Sequence, residues 1–131
     1  MNTQRPTDRL VRITLMISVP FNLIVAWMLL FPASTLGALM QLPTPVPPLY
    51  AALSAMFVAA FGVLYAWMSV QATINREMLG FVSLCKTSAF IVAQTLWLLG
   101  LGGGTAALAA VGDIVLAVIW MHWLLTTRQA A

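Results

Sequence analysis

Two ionisable residues stand inside long apolar stretches: Lys86 within FVSLCKTSAFIV and Asp113 within AAVGDIVLAV. If those stretches lie in hydrocarbon, each charge costs on the order of 3 kcal/mol at a helix centre, so something must offset it. At a rise of about 1.5 Å per residue, Lys86 falls roughly 13 Å and Asp113 roughly 18 Å from the same membrane face, a mismatch that a lysine side chain can bridge. An ion pair between them is the economical arrangement. Asn22 reaches about the same depth, roughly 15 Å, in a different stretch. Ser18 sits one turn below it, and Pro20, lacking an amide hydrogen, frees the carbonyl of Met16 to accept another bond. Ser83 and Thr87 place hydroxyls near Lys86. The sequence therefore predicts a buried polar cluster of Asn22, Lys86 and Asp113, with Ser18, Tyr65, Ser83, Thr87 and Gln94 as accessory polar groups. Such a cluster either pins helix register or lines a cavity for a small ligand, an ion or a proton, because intramembrane charges mark such routes. Keeping a buried ion pair does not decide between the two, since apolar packing of similar volume can be as stable.

Other chemistry is poorly provided for. A single histidine, His122, cannot supply paired haem ligation or a histidine-rich metal centre, and its place between Trp120 and Trp123 suits the membrane interface better than ligation. Asp8 and Glu77, the other two acids, fall near span ends and leave no paired carboxylates for acid and base work. The lone Cys85 allows neither an internal disulfide nor a CxxC redox pair. No nucleophile elbow, P-loop or dinucleotide fingerprint is present. No catalytic residue, metal ligand or cofactor is predicted, and the chain is expected not to be an enzyme.

The elements that must position the cluster follow from composition. Of the 131 residues 62% are apolar and 7% are charged, against about a quarter charged in an ordinary soluble domain. A water-facing surface cannot be assembled from that, so the surrounding medium is lipid. A span needs roughly 20 mostly apolar residues, and four such stretches occur, at about 10–31, 49–70, 78–101 and 106–125. Pro32 closes the first, Pro43 to Pro48 precede the second, a polar run from Gln71 to Glu77 separates second from third, and the glycines from Gly100 to Gly104 turn the third into the fourth. The expected fold is all-α: one domain over 1–131, an antiparallel four-helix transmembrane bundle. A signal-peptide reading of the first span is disfavoured by its length and by the odd number of helices that cleavage would leave. The segment Ser34 to Leu42 reads as a short interfacial helix or a proline-stiffened loop.

The formal charge is +3, but the cations are too few and too dispersed for nucleic-acid binding. They serve better as topology signals. Arg5, Arg9, Arg12, Arg76 and Arg128 fall on one side of an even-numbered bundle, while the loops 32–48 and 99–105 carry no charge. Retention of cations inside places both termini in the cytoplasm. The same asymmetry argues against the small exporters and fluoride channels that insert in both orientations.

Helix association in lipid depends on close backbone approach through small residues. Ala51, Ala55, Ala59, Gly62 and Ala66 form one such stripe, and Ala106, Ala110, Asp113 and Ala117 another, which would turn the larger side chains to lipid. Trp27, Trp67, Trp97, Trp120 and Trp123, with Tyr50 and Tyr65, mostly fall near span ends and read as an aromatic belt.

Asn22 and the prolines around the first span, the GxxY pair Gly62 and Tyr65, then Gly80 with Lys86, and Asp113 followed by an apolar aromatic tail together resemble the small four-helix membrane proteins of bacteria that are broadly DoxX-like in size and layout. That resemblance covers nearly the whole chain. It implies a bacterial inner (cytoplasmic) membrane location and a compact bundle; it brings no activity. Three functional expectations follow. The first is a non-catalytic protein that works by association, as a subunit or stabilising partner of other membrane proteins or of its own copies. The second is a small-solute or proton-linked permeation unit, and the third a binder of an apolar ligand such as a quinone or lipid, anchored at the polar cluster.

Overall fold

The computed structural model describes residues 6–127. Arg5 and Arg128, two of the cations used to assign sidedness, lie outside that range. Among the described residues the secondary structure is entirely helical, with no strand: α1 (Pro6–Leu30), α2 (Thr35–Leu39), α3 (Pro48–Val70), α4 (Arg76–Leu98) and α5 (Gly104–Thr126). Four of these, all but α2, are long and apolar enough to cross a membrane, the architecture of a multi-pass membrane protein.

The boundaries have local causes. Pro48 opens α3 at a position where a missing amide hydrogen does no harm. Asn75 caps α4, its side chain accepting from the Met78 N–H at 3.0 Å. That helix ends three residues earlier than hydropathy alone suggests, because Gly100 takes φ +70° and lets the chain fold back on itself. The Leu101 N–H then donates to the Leu96 carbonyl at 2.8 Å and the Gly100 N–H to that of Trp97 at 2.9 Å, satisfying carbonyls a helix end leaves open. Of the two readings of 34–42, the structure contains the helix, a five-residue turn capped by Ser34. It closes by the same pair of bonds, with Gln41 rather than glycine in the left-handed position at φ 55°.

Helix α1 packs along α3, α4 along α5, and α1 also meets α5. The α3 seam uses the small residues anticipated: Ala51, Ala55 and Gly62 are buried, and a Cβ on Gly62 would lie 3.5 Å from that of Asn22. In α5 the seam is Ala107, Ala110 and Ala117. The expectation that large side chains face lipid holds only in part. Tyr65, Met68, Leu15, Leu79 and Trp120 are essentially inaccessible and, with Val11, Val82 and Trp123, form the core. Trp120, Trp123 and Tyr65 are thus corrected from belt residues to core residues. Each indole N–H finds a partner across the bundle, Trp120 on the Thr14 hydroxyl at 2.9 Å and Trp123 on the Asp8 carboxylate at 2.8 Å. Trp27, Trp67 and Trp97 remain about half exposed.

This core sits at the end of the bundle that carries the arginines, and two of them fasten it. Arg12 in α1 donates to the carbonyls of Ser69 (2.7 Å), Gln71 (2.6 Å) and Ala72 (3.0 Å), beyond and within the last turn of α3. Arg76 in α4 does the same for α5, reaching the carbonyls of Leu124 and Thr127 while its guanidinium lies 5.3 Å over the Trp123 ring. A cation at a helix C-terminus meets both open carbonyls and the negative end of the helix dipole. These side chains are therefore structural caps as well as potential topology signals.

Replacing Arg12 by methionine should lower the unfolding free energy by about 2 kcal/mol, and by lysine by about 1 kcal/mol, since an ammonium cannot span three carbonyls. Unfolding in mixed micelles, followed by tryptophan fluorescence, measures both. Wild-type stability in the methionine variant would mean that those carbonyls have no need of the guanidinium.

Candidate functional site

Beyond the core, toward the end that carries α2, the two helix pairs part around a half-open cavity of about 570 Å³. Every long helix contributes to its wall: Phe21, Asn22 and Val25 from α1, Val58, Phe61 and Tyr65 from α3, Cys85, Lys86, Ala89 and Ala93 from α4, and Ala106, Ala110 and Asp113 from α5. Small residues explain the space. Where Ala89 and Ala93 of α4 confront Ala106 and Ala110 of α5, no side chain is long enough to fill the gap toward α1 and α3. The roof is made of loop residues, Met40 to Pro43 on one side and Leu101 to Gly103 on the other. These two turns touch, because a Cβ on Gly103 would collide with the Gln41 side chain and come within 2.9 Å of the Met40 carbonyl.

The floor is polar. Lys86 Nζ donates to Asp113 Oδ1, closing an ion pair whose side chains are 6% and 15% exposed. The ammonium also lies 5.6 Å from the Phe21 ring centroid and 5.3 Å from that of Tyr65, so aromatic faces flank it on two helices. Tyr65 in turn packs against Trp120 with centroids 5.6 Å apart, which ties the cavity floor to the core beneath it. In a medium without water this charge is compensated by one carboxylate and two π-faces rather than by hydration.

The structure brings Asn22, Lys86 and Asp113 to one cavity, though not into one hydrogen-bonded cluster. Asn22 Nδ2 donates to the Val58 carbonyl at 3.1 Å, across the α1–α3 contact. The accessory hydroxyls stay local: Ser18 donates to Thr14 (2.8 Å), Ser83 to Leu79 (2.7 Å) and Thr87 to Ser83 (2.9 Å), each on the carbonyl one turn back in its own helix. A hydroxyl in an apolar helix has this partner always at hand. Gln94 bridges helices instead, its Nε2 donating to the Ala107 carbonyl at 2.7 Å above the cavity wall. His122 is exposed. Among the described residues no three His, Cys, Asp or Glu side chains come together as a metal site.

Sequence reasoning assigned Phe21 and Gln41 no part in the site and read residues 100–104 only as the turn between two spans. Phe21 adjoins Asn22 and could have been found from its neighbour; the contact between two uncharged loops far apart in sequence left no local signal. No family model, curated protein or solved structure matches the chain.

Removing one partner of the pair leaves the other charged and uncompensated, which typically destabilises by about 3–5 kcal/mol. Asp113→Asn should therefore weaken the bundle by about 3 kcal/mol, and the joint change Lys86→Met, Asp113→Leu should recover most of that loss. Equal losses in the single and double variants would show that the pair is not what Lys86 depends on.

Proposed function

We propose that this chain binds an apolar or amphiphilic small molecule inside the membrane, without catalysis, in the cavity between its helix pairs. The observation that carries this reading is the cavity itself. Its volume lies within the range of sites that hold drug-sized ligands, roughly 300–1,000 Å³. Its walls are mostly apolar, and the ion pair lies with Asn22 and Tyr65 on its lining, as in a site that orients a ligand by its head.

The reading as a subunit that acts by association draws support from the ion pair, which is formed and largely shut away. It gives no reason for the space beside that pair. A proton or solute route would need polar groups along its length, and the side chains between floor and roof are apolar. We further propose that the spans run antiparallel, that the arginine end faces the cytoplasm, and that the membrane is the bacterial inner membrane. The first is supported, for α1 and α3, by Arg12 meeting the C-terminal end of α3 while Asn22, later in α1, meets Val58 at its middle, and the second by the absence of charge in the loops that form the roof. The resemblance to DoxX-like proteins supports the third.

Extraction of the full chain in mild detergent, followed by mass spectrometry of the organic phase, should yield one co-purifying molecule at close to one per chain. Ala93→Trp, which projects an indole into the cavity from α4, should reduce that yield at least tenfold while the protein remains folded, because the ring stands where the ligand would lie. Equal retention by the filled variant would refute binding in this cavity.

A further inference from the structure

The chemistry of the floor narrows what can lie on it, an inference that rests on the cavity being a binding site. Lys86 and Asp113 neutralise one another, so the site carries no net charge to offer. A ligand bearing a carboxylate or an ammonium would bring a third, unbalanced charge into a mostly apolar pocket. The floor does keep unspent hydrogen-bonding capacity of both kinds. An ammonium has three N–H donors, and one goes to Asp113 Oδ1. Asp113 retains its second oxygen as an acceptor. Asn22 uses its amide N–H₂ on Val58 and keeps its carbonyl oxygen. The Tyr65 hydroxyl takes part in none of the side-chain hydrogen bonds among the described residues, and Tyr65 lines the same cavity.

We propose that the pocket selects an electrically neutral amphiphile whose head carries oxygen, accepting from the Lys86 ammonium or the Tyr65 hydroxyl and, where the head bears a hydroxyl, donating to Asp113 or Asn22, and whose apolar tail extends toward the roof. A hydroxyl head can use both kinds of partner and a ketone the donors alone, whereas an ionised acid or amine brings an unbalanced charge. Two membrane sources share this chemistry, a quinone or quinol and a neutral glycerolipid.

The selection can be read with tail-matched probes and the full chain in lipid nanodiscs, by isothermal titration. The set is decyl-substituted benzoquinone, 1-monodecanoylglycerol, ionised decanoate, decylammonium and decane. At least one neutral-headed probe should bind about tenfold or more tightly than decane, decanoate and decylammonium. Whichever neutral head binds better identifies the source. Asp113→Asn, which removes the carboxylate beside Lys86, should turn the preference toward decanoate, and Lys86→Met should turn it toward decylammonium. A purely structural ion pair would move neither ranking. The double variant Lys86→Met, Asp113→Leu guards against misfolded single variants, since it should bind all five probes as it binds decane. Saturable binding of decane as tight as that of the neutral heads, abolished by Ala93→Trp, would overturn the head-group selection and leave the apolar binding site standing. An ionised probe binding most tightly to the wild-type chain would also overturn it. Failure of every probe, decane included, would overturn the binding reading itself.

Discussion

An ammonium group at mid-depth in hydrocarbon has to find its counter-charge within the reach of one side chain, since no water is there to take its place. At Lys86 this requirement sets the register of α4 against α5. The helices pack with Lys86 beside Asp113, Gln94 beside Ala107 and Arg76 beside the last turn of α5. Sliding one helix past the other by a single turn, about 5.4 Å, would break all three polar contacts together. The α1–α3 pair is fixed by the same rule, with Arg12 on the carbonyls at the end of α3 and Asn22 on that of Val58. Each pair is thus pinned by polar side chains placed along its length, while small residues allow the backbones to approach.

Between the pairs the bundle is asymmetric from end to end. At the arginine end Trp120, Tyr65, Met68 and Leu15 fill the centre, and indole hydrogen bonds to Asp8 and Thr14 stitch α5 to α1. Such cross-helix bonds contribute no more than about 1–2 kcal/mol each in a membrane, so the joint relies on several of them and on dense packing. At the other end alanines and glycines stand where large side chains would be needed to close the gap. The core therefore ends at Tyr65 and the cavity begins there. A chain of 131 residues concentrates its bulk in one half of the bundle and leaves the other half hollow.

What the sequence reveals depends on whether the signal is local. The spans are legible because hydropathy over about 20 residues measures transfer into lipid directly. Lys86 and Asp113 can be matched because depth along a helix is arithmetic, and a buried charge has few alternatives. The stripe of Ala51, Ala55 and Gly62 is legible for the same reason. Trp120 and Trp123 are not, because a tryptophan near a span end suits the interface or the core equally well, and only a partner on α1 decides. Arg12 and Arg76 carry a topology signal that masks their second use as caps, which depends on which helix end lies alongside. The cavity was least legible of all: it arises from residues that are absent, in four helices at once, beneath two loops whose contact needs Gly103 to lack a side chain.

The ion pair and the cavity constrain each other. As a register pin alone, Lys86 and Asp113 are replaceable, because an apolar pair of like volume avoids the desolvation that two charges suffer. Full enclosure would also serve a pin best, with every remaining donor and acceptor matched by protein. Here the pair instead borders open volume, and the groups around it, Asn22 and Tyr65 among them, retain hydrogen-bonding atoms that the protein leaves unmatched on that side. Polar atoms that face a mostly apolar chamber add nothing to the register of the helices, and this unspent capacity beside open volume is what favours the proposed polar-headed ligand over a register pin alone.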